Sequence, residues 1–286
     1  SAFGLITSAF LLLSGDESAY FVAQKQPMKL AAMEGLYKGE KNAGLVAAGI
    51  LNPAKKLGDE SDAFLFEIKV PYALGIMANR ELDSFTPGIN DLLYGNSEHN
   101  LISVEEKMAK GKVAIEALKN YKEAKKANDE SLMKSSLSNL ESNLNFLGYG
   151  YLKDAKDAVP PVALTFYSFH IMVALGTYFI ALFAITLYLN LSRKYKFENI
   201  RAFLWICLFT IPLGYIAAEA GWIVAEVGRQ PWAIQDLMTV GVGATNLSDS
   251  NVKISFILFA VLFTVLLIAE IKIMLKQIKI GFNDHA

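Results

Sequence analysis

The chain has 286 residues, of which 53% are hydrophobic, and its formal net charge is −1. A charge this close to zero, with no basic patch interleaved with aromatic residues, excludes nucleic acid as a partner. The single cysteine, Cys207, lies in an apolar run, which excludes a disulfide framework and a Cys-x-x-Cys metal site.

Hydrophobic residues are concentrated in three long stretches, at 163–190, 202–225 and 254–271. Each stretch is long enough for a membrane helix of about 20 residues. Residues 14–160, by contrast, have the composition of a segment that is exposed to water. We therefore predict an all-α integral membrane protein, in which a transmembrane helix bundle carries a large and mostly helical loop.

The first 13 residues are apolar, but they are too few to cross a bilayer. They lack the positively charged start and the small-residue cleavage site of a signal peptide. We expect them to be the end of a transmembrane helix whose beginning lies outside this sequence. The predicted domains are therefore this helix end at 1–13, an extramembrane loop at 14–160 and three transmembrane helices at 161–286.

The start of the loop contains two charged residues on one predicted helix. The segment 28–36 favours helix, and Pro27 suits the first turn of a helix. Lys29 and Glu34 are five residues apart, about 140° around the axis, so they flank a surface and do not pair directly. Their simplest interpretation is ordinary surface charge at the edge of a membrane.

The rest of the loop predicts one extended segment and one pair of helices. Residues 64–71 alternate between apolar and polar side chains, which favours a short strand or an extended run. Residues 101–145 are rich in helix formers and charges, and a turn signal at Asn128 separates two helical patterns. We predict a solvated helical hairpin there.

The connections between the apolar stretches predict the topology. A helix that begins at Pro161 and runs to about Leu191 is followed by a short basic connection at 192–196 and by Arg201. Positive charge marks the cytoplasmic side of a membrane protein, and the lysines after the last stretch agree. Residues 14–160 then face the other side, which is the periplasm if the protein lies in a bacterial inner membrane.

A group of four polar or aromatic residues closes the second stretch. Glu219, Trp222, Glu226 and Arg229 are spaced three, four and three residues apart, which puts them on one face of a helix. Pro231 predicts that this helix ends near Arg229. The four residues, called the polar face below, fit either a salt-bridged helix end with an interfacial tryptophan or a functional site inside a bundle.

Met172 is predicted to lie in the same leaflet as the polar face. It follows Pro161 by 11 residues, about 16 Å along a helix, while Glu226 falls close to the outer interface. A methionine sulfur and a carboxylate are both possible axial ligands of haem iron, and an arginine suits a haem propionate. A lone methionine in a membrane helix is, however, more often a packing residue.

Several segments of the chain resemble subunit I of the cytochrome bd quinol oxidases. The segment 221–232, GWIVAEVGRQPW, is similar to that family's signature. Residues 168–176 resemble the helix that carries a methionine ligand. The segments 15–18 and 29–34, together with 71–76, resemble the family's quinol-binding loop. The resemblance covers essentially the whole chain as the C-terminal half of the subunit, with 101–145 as the insertion of the long-loop subfamily.

This resemblance implies a role for each residue of the candidate haem site. Met172 would be an axial ligand of the low-spin haem b, and Glu226 would be the axial ligand of the high-spin haem b. Arg229 would lie beside haem propionates. Glu219 and Trp222 would line the haem cluster next to haem d, where oxygen is reduced to water.

The resemblance also implies roles outside that group. Lys29 and Glu34 would contact quinol or accept its protons at the periplasmic side, so that turnover contributes to a proton-motive force. Trp232, at the end of the signature, is placed with the cofactor-binding residues. His170 stands where the family commonly has arginine, two residues before Met172. It could contact a propionate, donate a hydrogen bond or, less expectedly, ligate a haem.

The resemblance implies that this chain acts with others. The histidines that the family uses as further haem ligands belong to an N-terminal half of subunit I, which this sequence does not contain. That half and subunit II are the expected partners, with small accessory membrane subunits and membrane lipids besides. The alternatives are a non-enzymatic membrane sensor or assembly protein and, with less support, a transporter.

Overall fold

The structure of the protein is a computed structural model that describes four ranges of residues: 1–81, 83–192, 200–245 and 247–280. It divides into two units, Ser1–Gly243 and Ala244–Ala286, and each is described by itself. The basic residues at 193–196, on which the topology prediction partly depends, lie outside the described ranges.

Helices dominate the described residues. In chain order they are α1 (Ala2–Lys25), α2 (Pro27–Glu34), α3 (Ala73–Asn79), α4 (Ile89–Tyr94), α5 (Val104–Ala127), α6 (Glu130–Asn143), α7 (Val162–Leu191), α8 (Arg201–Val227), α9 (Val240–Gly243) and α10 (Asp249–Ile280). Three of them, α7, α8 and α10, are long and apolar enough to cross a membrane. The predicted class, a helical membrane protein, is therefore confirmed.

Short antiparallel strand pairs interrupt the helices. The strands are β1 (Glu40–Lys41), β2 (Leu45–Leu51), β3 (Phe64–Val70), β4 (Phe85–Thr86), β5 (Trp232–Ile234) and β6 (Met238–Thr239). They pair as β1 with β4, β2 with β3 and β5 with β6. The strand predicted at 64–71 is confirmed as β3, whereas its partner β2 was not predicted.

The first helix is longer than its apolar segment. It continues through Gly15 to Lys25. The apolar run stops at Leu13, where polar residues follow, but the helix does not end there. Arg80 at the end of α3 makes an ion pair with Asp16, Nη2 to Oδ2, at 2.6 Å. The exit from the membrane that the sequence predicts near Gly15 therefore does not coincide with the end of a helix.

The predicted helical hairpin is confirmed as α5 and α6. The Ser103 side chain accepts a hydrogen bond from Glu106 N, and the Asp129 side chain accepts one from Leu132 N, so each helix has an N-cap. Asn128 lies between the helices with φ of 54°, a left-handed conformation that asparagine tolerates. The hairpin turns at the residue that the sequence indicated.

The core of the loop lies around α2. Its residues from Leu30 to Glu34 are all buried, and α2 packs against α1, α4 and α7. Gly35 ends the helix in a left-handed conformation with φ of 61°, the usual glycine cap. This packing places Lys29 at one side of a buried helix and Glu34 at its far end.

Candidate functional site

The end of α8 forms an ion pair on the polar face. Nη2 of Arg229 donates a hydrogen bond to Oε2 of Glu226, three residues earlier. The helix itself ends at Val227, two residues before the predicted end, because the chain turns ahead of Pro231, with Gln230 N donating to Val227 O. Among the described residues, Nε of Arg229 is buried without a hydrogen-bond acceptor, which leaves one N–H available to an anionic group.

The loop brings Lys29 to this ion pair. Nζ of Lys29 donates to the carbonyl oxygen of Ala225 at 3.4 Å. A side chain at Gly228 would place its Cβ 3.3 Å from Cε of Lys29, so the glycine leaves room for the lysine. Burial and the Arg229 charge lower the pKa of Lys29, and the Glu226 carboxylate opposes them. Lys29 and Ala225 are far apart in the sequence, so this contact can be recognised only in the structure.

The other half of the polar face is exposed. Trp222 exposes 64% of its surface, and Glu219 is exposed as well, although α8 is an apolar helix. The structure therefore brings together Lys29, Glu226 and Arg229, and leaves Glu219 and Trp222 on an open surface of the same helix. A carboxylate on an open apolar helix needs compensation from outside the described residues.

Met172 lies where α7 packs on α8. A Cβ at Gly221 would lie only 3.0 Å from the Met172 sulfur, so this glycine makes room for the thioether. The sulfur thus faces the helix that carries the polar face, one residue from Trp222. The structure thus places Met172 beside Gly221 of α8, while its predicted position in the same leaflet as the polar face and its role as an iron ligand stay predictions.

His170 connects α7 to the loop. Its Nδ1 lies 2.9 Å from Phe166 O and its Nε2 lies 2.8 Å from Val46 O. Both partners are carbonyl oxygens, which accept hydrogen bonds, so a ring nitrogen that carries a proton can donate to the one beside it. The two contacts direct both ring nitrogens to backbone carbonyls. Of the roles that the sequence left open for His170, this geometry favours hydrogen-bond donation over ligation.

Glu34 is the most buried carboxyl group of the predicted site. Its exposed fraction is 1%, and neither carboxylate oxygen has a hydrogen-bond partner among the described residues. Burial raises the pKa of Glu34 to about 7, against the opposing effect of the Val46 backbone amide. The interpretation of Glu34 as ordinary surface charge therefore does not fit so buried a position.

Trp232 is a buried packing residue in this structure. Its exposed fraction is 4%, and its ring meets Tyr149 edge to face, with centroids 4.7 Å apart. Gly148 N donates to Asp236 O at 2.8 Å beside it. Trp232 therefore ties the segment after α8 to the extramembrane loop.

Sequence reasoning missed the seam between the β2–β3 hairpin and α7. Leu51 N donates to the hydroxyl of Tyr167 at 3.0 Å, and Val46 O accepts from His170. The one available signal was the pair of polar side chains, Tyr167 and His170, three residues apart in an apolar helix. Their spacing marks a face of α7 that meets polar backbone.

Known proteins are similar to this chain along almost its whole length. A family model described as cytochrome bd terminal oxidase subunit I matches residues 1–282. The chain is 32% identical to cytochrome bd-II ubiquinol oxidase subunit 1 of Escherichia coli (strain K12), over 98% of this chain and 54% of that protein. It is 29% identical to cytochrome bd ubiquinol oxidase subunit 1 of Bacillus subtilis (strain 168), over 97% of this chain and 47% of that protein.

A solved structure shares the fold. The bd oxidase from Geobacillus thermodenitrificans matches with a TM-score of 0.61 at 24% identity, over 97% of this chain and 47% of that one. The chain thus spans about half the length of the relatives that it matches.

Proposed function

The chain belongs to the cytochrome bd terminal oxidase subunit I family, and we propose that it forms the C-terminal part of that subunit in a quinol:oxygen oxidoreductase. One observation carries the proposal: Lys29 of the loop lies against the carbonyl of Ala225, beside the Glu226–Arg229 pair. A loop that receives quinol and a helix that holds a redox cofactor need this contact.

The residues at the end of α8 fit a haem. The unpartnered Nε of Arg229 suits a propionate, which takes charge-assisted hydrogen bonds. Glu226 and Met172 would supply a hard and a soft ligand to the iron of the high-spin and the low-spin haem b. Glu219 and Trp222 form the exposed surface that would face haem d. Bound haem supplies the one-electron chemistry that couples quinol oxidation to the reduction of oxygen.

Two loop residues handle the quinol. Oxidation of a quinol releases two electrons and two protons, so its site needs a path for each. Lys29, beside Glu226 and Arg229, orients the quinol oxygen towards the cofactor side. Glu34, with its pKa near 7, accepts a proton at the other end of α2.

The assembly needs more than this chain. In this proposal an N-terminal half of subunit I supplies the remaining ligands, and subunit II completes the complex. Small accessory subunits are possible further members. In this proposal residues 14–160 lie on the periplasmic side. The lysines at the C-terminal end of α10 favour the cytoplasmic side for that end of the helix. Family membership disfavours a sensor or an assembly protein.

A spectroscopic experiment tests the haem assignment. The chain is co-expressed with the N-terminal half and subunit II, and a reduced-minus-oxidised difference spectrum of the membranes is recorded. Met172→Leu should lose the low-spin haem b signal, because it removes the thioether ligand. Met274→Leu, the same substitution on an exposed residue of α10, is the matched control. A low-spin signal that survives Met172→Leu would reject this ligand.

A further inference from the structure

The β2–β3 hairpin has two faces of different character. In an antiparallel pair, residues directly opposite each other lie on the same face of the sheet. One face carries the pairs Val46–Lys69 and Gly49–Glu67. Lys69 and Glu67 form an ion pair there at 3.4 Å, and both line a polar cleft of about 1200 Å³. This side of the hairpin is called the cleft face below.

The other side of the hairpin, called the apolar face below, is uncovered within this chain. It carries the pairs Ile50–Phe66 and Ala48–Ile68, and Val70 follows on the same side. Its four large side chains expose between 46% and 56% of their surface, and Phe66 extends the patch to the rim of the cleft. A contiguous exposed patch of large apolar side chains marks an interaction surface.

Two hydrogen bonds hold the hairpin on the start of α7. Leu51 N donates to the Tyr167 hydroxyl at 3.0 Å, and Val46 O lies 2.8 Å from Nε2 of His170. Val46 and Leu51 also pack on Phe166, which is completely buried. The hairpin is therefore fixed to the first three turns of α7, and the height of those turns is also the height of the hairpin.

The length of α7 gives this height relative to a bilayer. The helix has 30 residues, so it is about 45 Å long, whereas a hydrocarbon layer is about 30 Å thick. Basic residues follow at 193–196, so we take Leu191 as the inner boundary of that layer. The outer boundary then falls at about residue 172. Tyr167 and His170 lie about 7 and 3 Å beyond it, within an interfacial layer that is about 5 to 7 Å thick.

The composition of α1 gives the same boundary independently. A Cβ at Gly4 would lie 3.0 Å from the Phe183 ring, so α1 packs on α7 there. The next helix, α2, packs beside Val162 at the start of α7, so α1 and α7 run antiparallel. Asp16, the first charged residue of α1, follows Gly4 by 12 residues. It is therefore level with about residue 171 of α7.

We propose that the apolar face of the β2–β3 hairpin lies in the interfacial layer of the membrane, at the start of α7, and contacts lipid there. Of the residues that pair in the two strands, Glu67 and Lys69 are the ionisable ones, and both lie on the cleft face. Such a separation of apolar and charged faces is typical of an element that lies in the plane of a membrane surface. The uncharged face suits the upper part of lipid acyl chains and not the charge of a headgroup. The inference rests on α7 crossing the membrane, and it uses neither the haem nor the quinol assignments.

Spin labels on neighbouring residues test the proposal. Ile68→Cys places a nitroxide on the apolar face, and Glu67→Cys places the same label on the cleft face of the same strand. Val70→Cys is a second site on the apolar face. The complete oxidase, with the N-terminal half and subunit II, is labelled in a background without other reactive cysteines, Cys207→Ser included. In phosphatidylcholine bilayers, electron paramagnetic resonance then measures collisions of the label with oxygen, which concentrates in lipid, and with a neutral, water-soluble nickel chelate.

Labels on the two faces should give opposite results. At Ile68→Cys and Val70→Cys, collisions with nickel should be lost, while collisions with oxygen should match those of a lipid that is spin-labelled near the top of its acyl chain. At Glu67→Cys, collisions with nickel should persist, because this face borders the cleft. High salt should not change the result on the apolar face, since screening acts only on charges.

Two results would overturn the proposal. Frequent nickel collisions at Ile68→Cys and Val70→Cys would place the apolar face in water. Rare collisions with both reagents at these sites would show that a protein surface covers it, which identifies a partner chain and not lipid as the occupant. A complex without a haem spectrum would instead reject the proposed function, and the collision rates would still locate the hairpin.

Discussion

The extramembrane loop and the apolar helices differ in how much of their surface is buried within this chain. In the loop, α2 is buried on nearly every side, and the hairpin of α5 and α6 packs closely on the 3-10 helix at Leu144–Tyr151. In α7 and α8, only 6% of each apolar stretch is buried within this chain. The loop has its own core, whereas most of the surface of the two apolar helices is not buried within this chain.

The same contrast holds for carboxylates. Glu34 of the loop is buried and unpartnered among the described residues, and Glu219 of α8 is exposed on an apolar helix. Each costs free energy, but for opposite reasons: Glu34 because water is excluded, and Glu219 because its surroundings in a membrane would be apolar. These costs are the reason that both positions are candidates for a functional role.

The largest effect is expected where the loop is packed most tightly. A Cβ at Gly111 in α5 would lie 2.3 Å from Phe146 O and 2.4 Å from Gly150 N, both backbone atoms that cannot move aside alone. Gly111→Ala should therefore lower the free energy of unfolding by more than about 4 kcal/mol, beyond ordinary overpacking. Thermal unfolding in detergent, followed by tryptophan fluorescence, measures the change.

The matched control for this substitution lies in an apolar helix. Apart from the neighbouring backbone of its own helix, no described atom lies within 4 Å of a Cβ built at Gly176 in α7. Gly176→Ala should be neutral or slightly stabilising in the isolated chain, because alanine favours helix by about 1 kcal/mol. Equal losses of unfolding free energy at Gly111 and Gly176 would show that the loop is not packed more tightly than the apolar helices.

An intermediate effect is expected at Glu34. Below pH 4.5 both the folded and the unfolded carboxyl are protonated. Between pH 4.5 and about 7 only the unfolded state ionises, so the folded state loses stability, and above pH 7 the loss is constant. Glu34→Gln removes this loss. Its stability relative to the original chain should rise by about 3 kcal/mol between pH 4 and pH 8.

Unfolding of Glu34→Gln at these two pH values, beside Glu60→Gln as an exposed control, measures the difference. A difference between Glu34→Gln and the original chain that does not change with pH would show that Glu34 is not held in a dry environment. Glu34 could then no longer be contrasted with Glu219 as a carboxylate from which water is excluded.

Local patterns predicted much of this architecture. The periodicity of 101–145 and the proline at 161 predicted α5, α6 and α7, because caps and turns act over a few residues. The spacing of Glu226 and Arg229 predicted their shared face for the same reason. Residues 45–51 have no alternation and contain Ala and Gly, so β2 could not be recognised before its partner was known.

Long-range contacts were beyond the reach of the sequence. The proximity of Lys29 to Ala225 joins residues 196 positions apart, and the His170–Val46 bond joins residues 124 apart. Glu34 lies beside the β2–β3 hairpin, of which the sequence predicted only β3. Single-residue chemistry did indicate which residues to watch, since ionisable groups at an apolar boundary are costly wherever the chain places them.

The smallest effect is expected on the solvated face of the helical hairpin. Glu106 pairs with Lys110 at 2.9 Å, one turn apart, with side chains that are 50% and 40% exposed. Water screens such a pair, so Glu106→Gln should cost less than about 0.5 kcal/mol, and high salt should abolish that cost. Thermal unfolding at low and high ionic strength measures it. A salt-independent loss above 1 kcal/mol would mean that this face is covered by a partner, and the loop would then no longer differ from α7 and α8 in burying its surface within this chain.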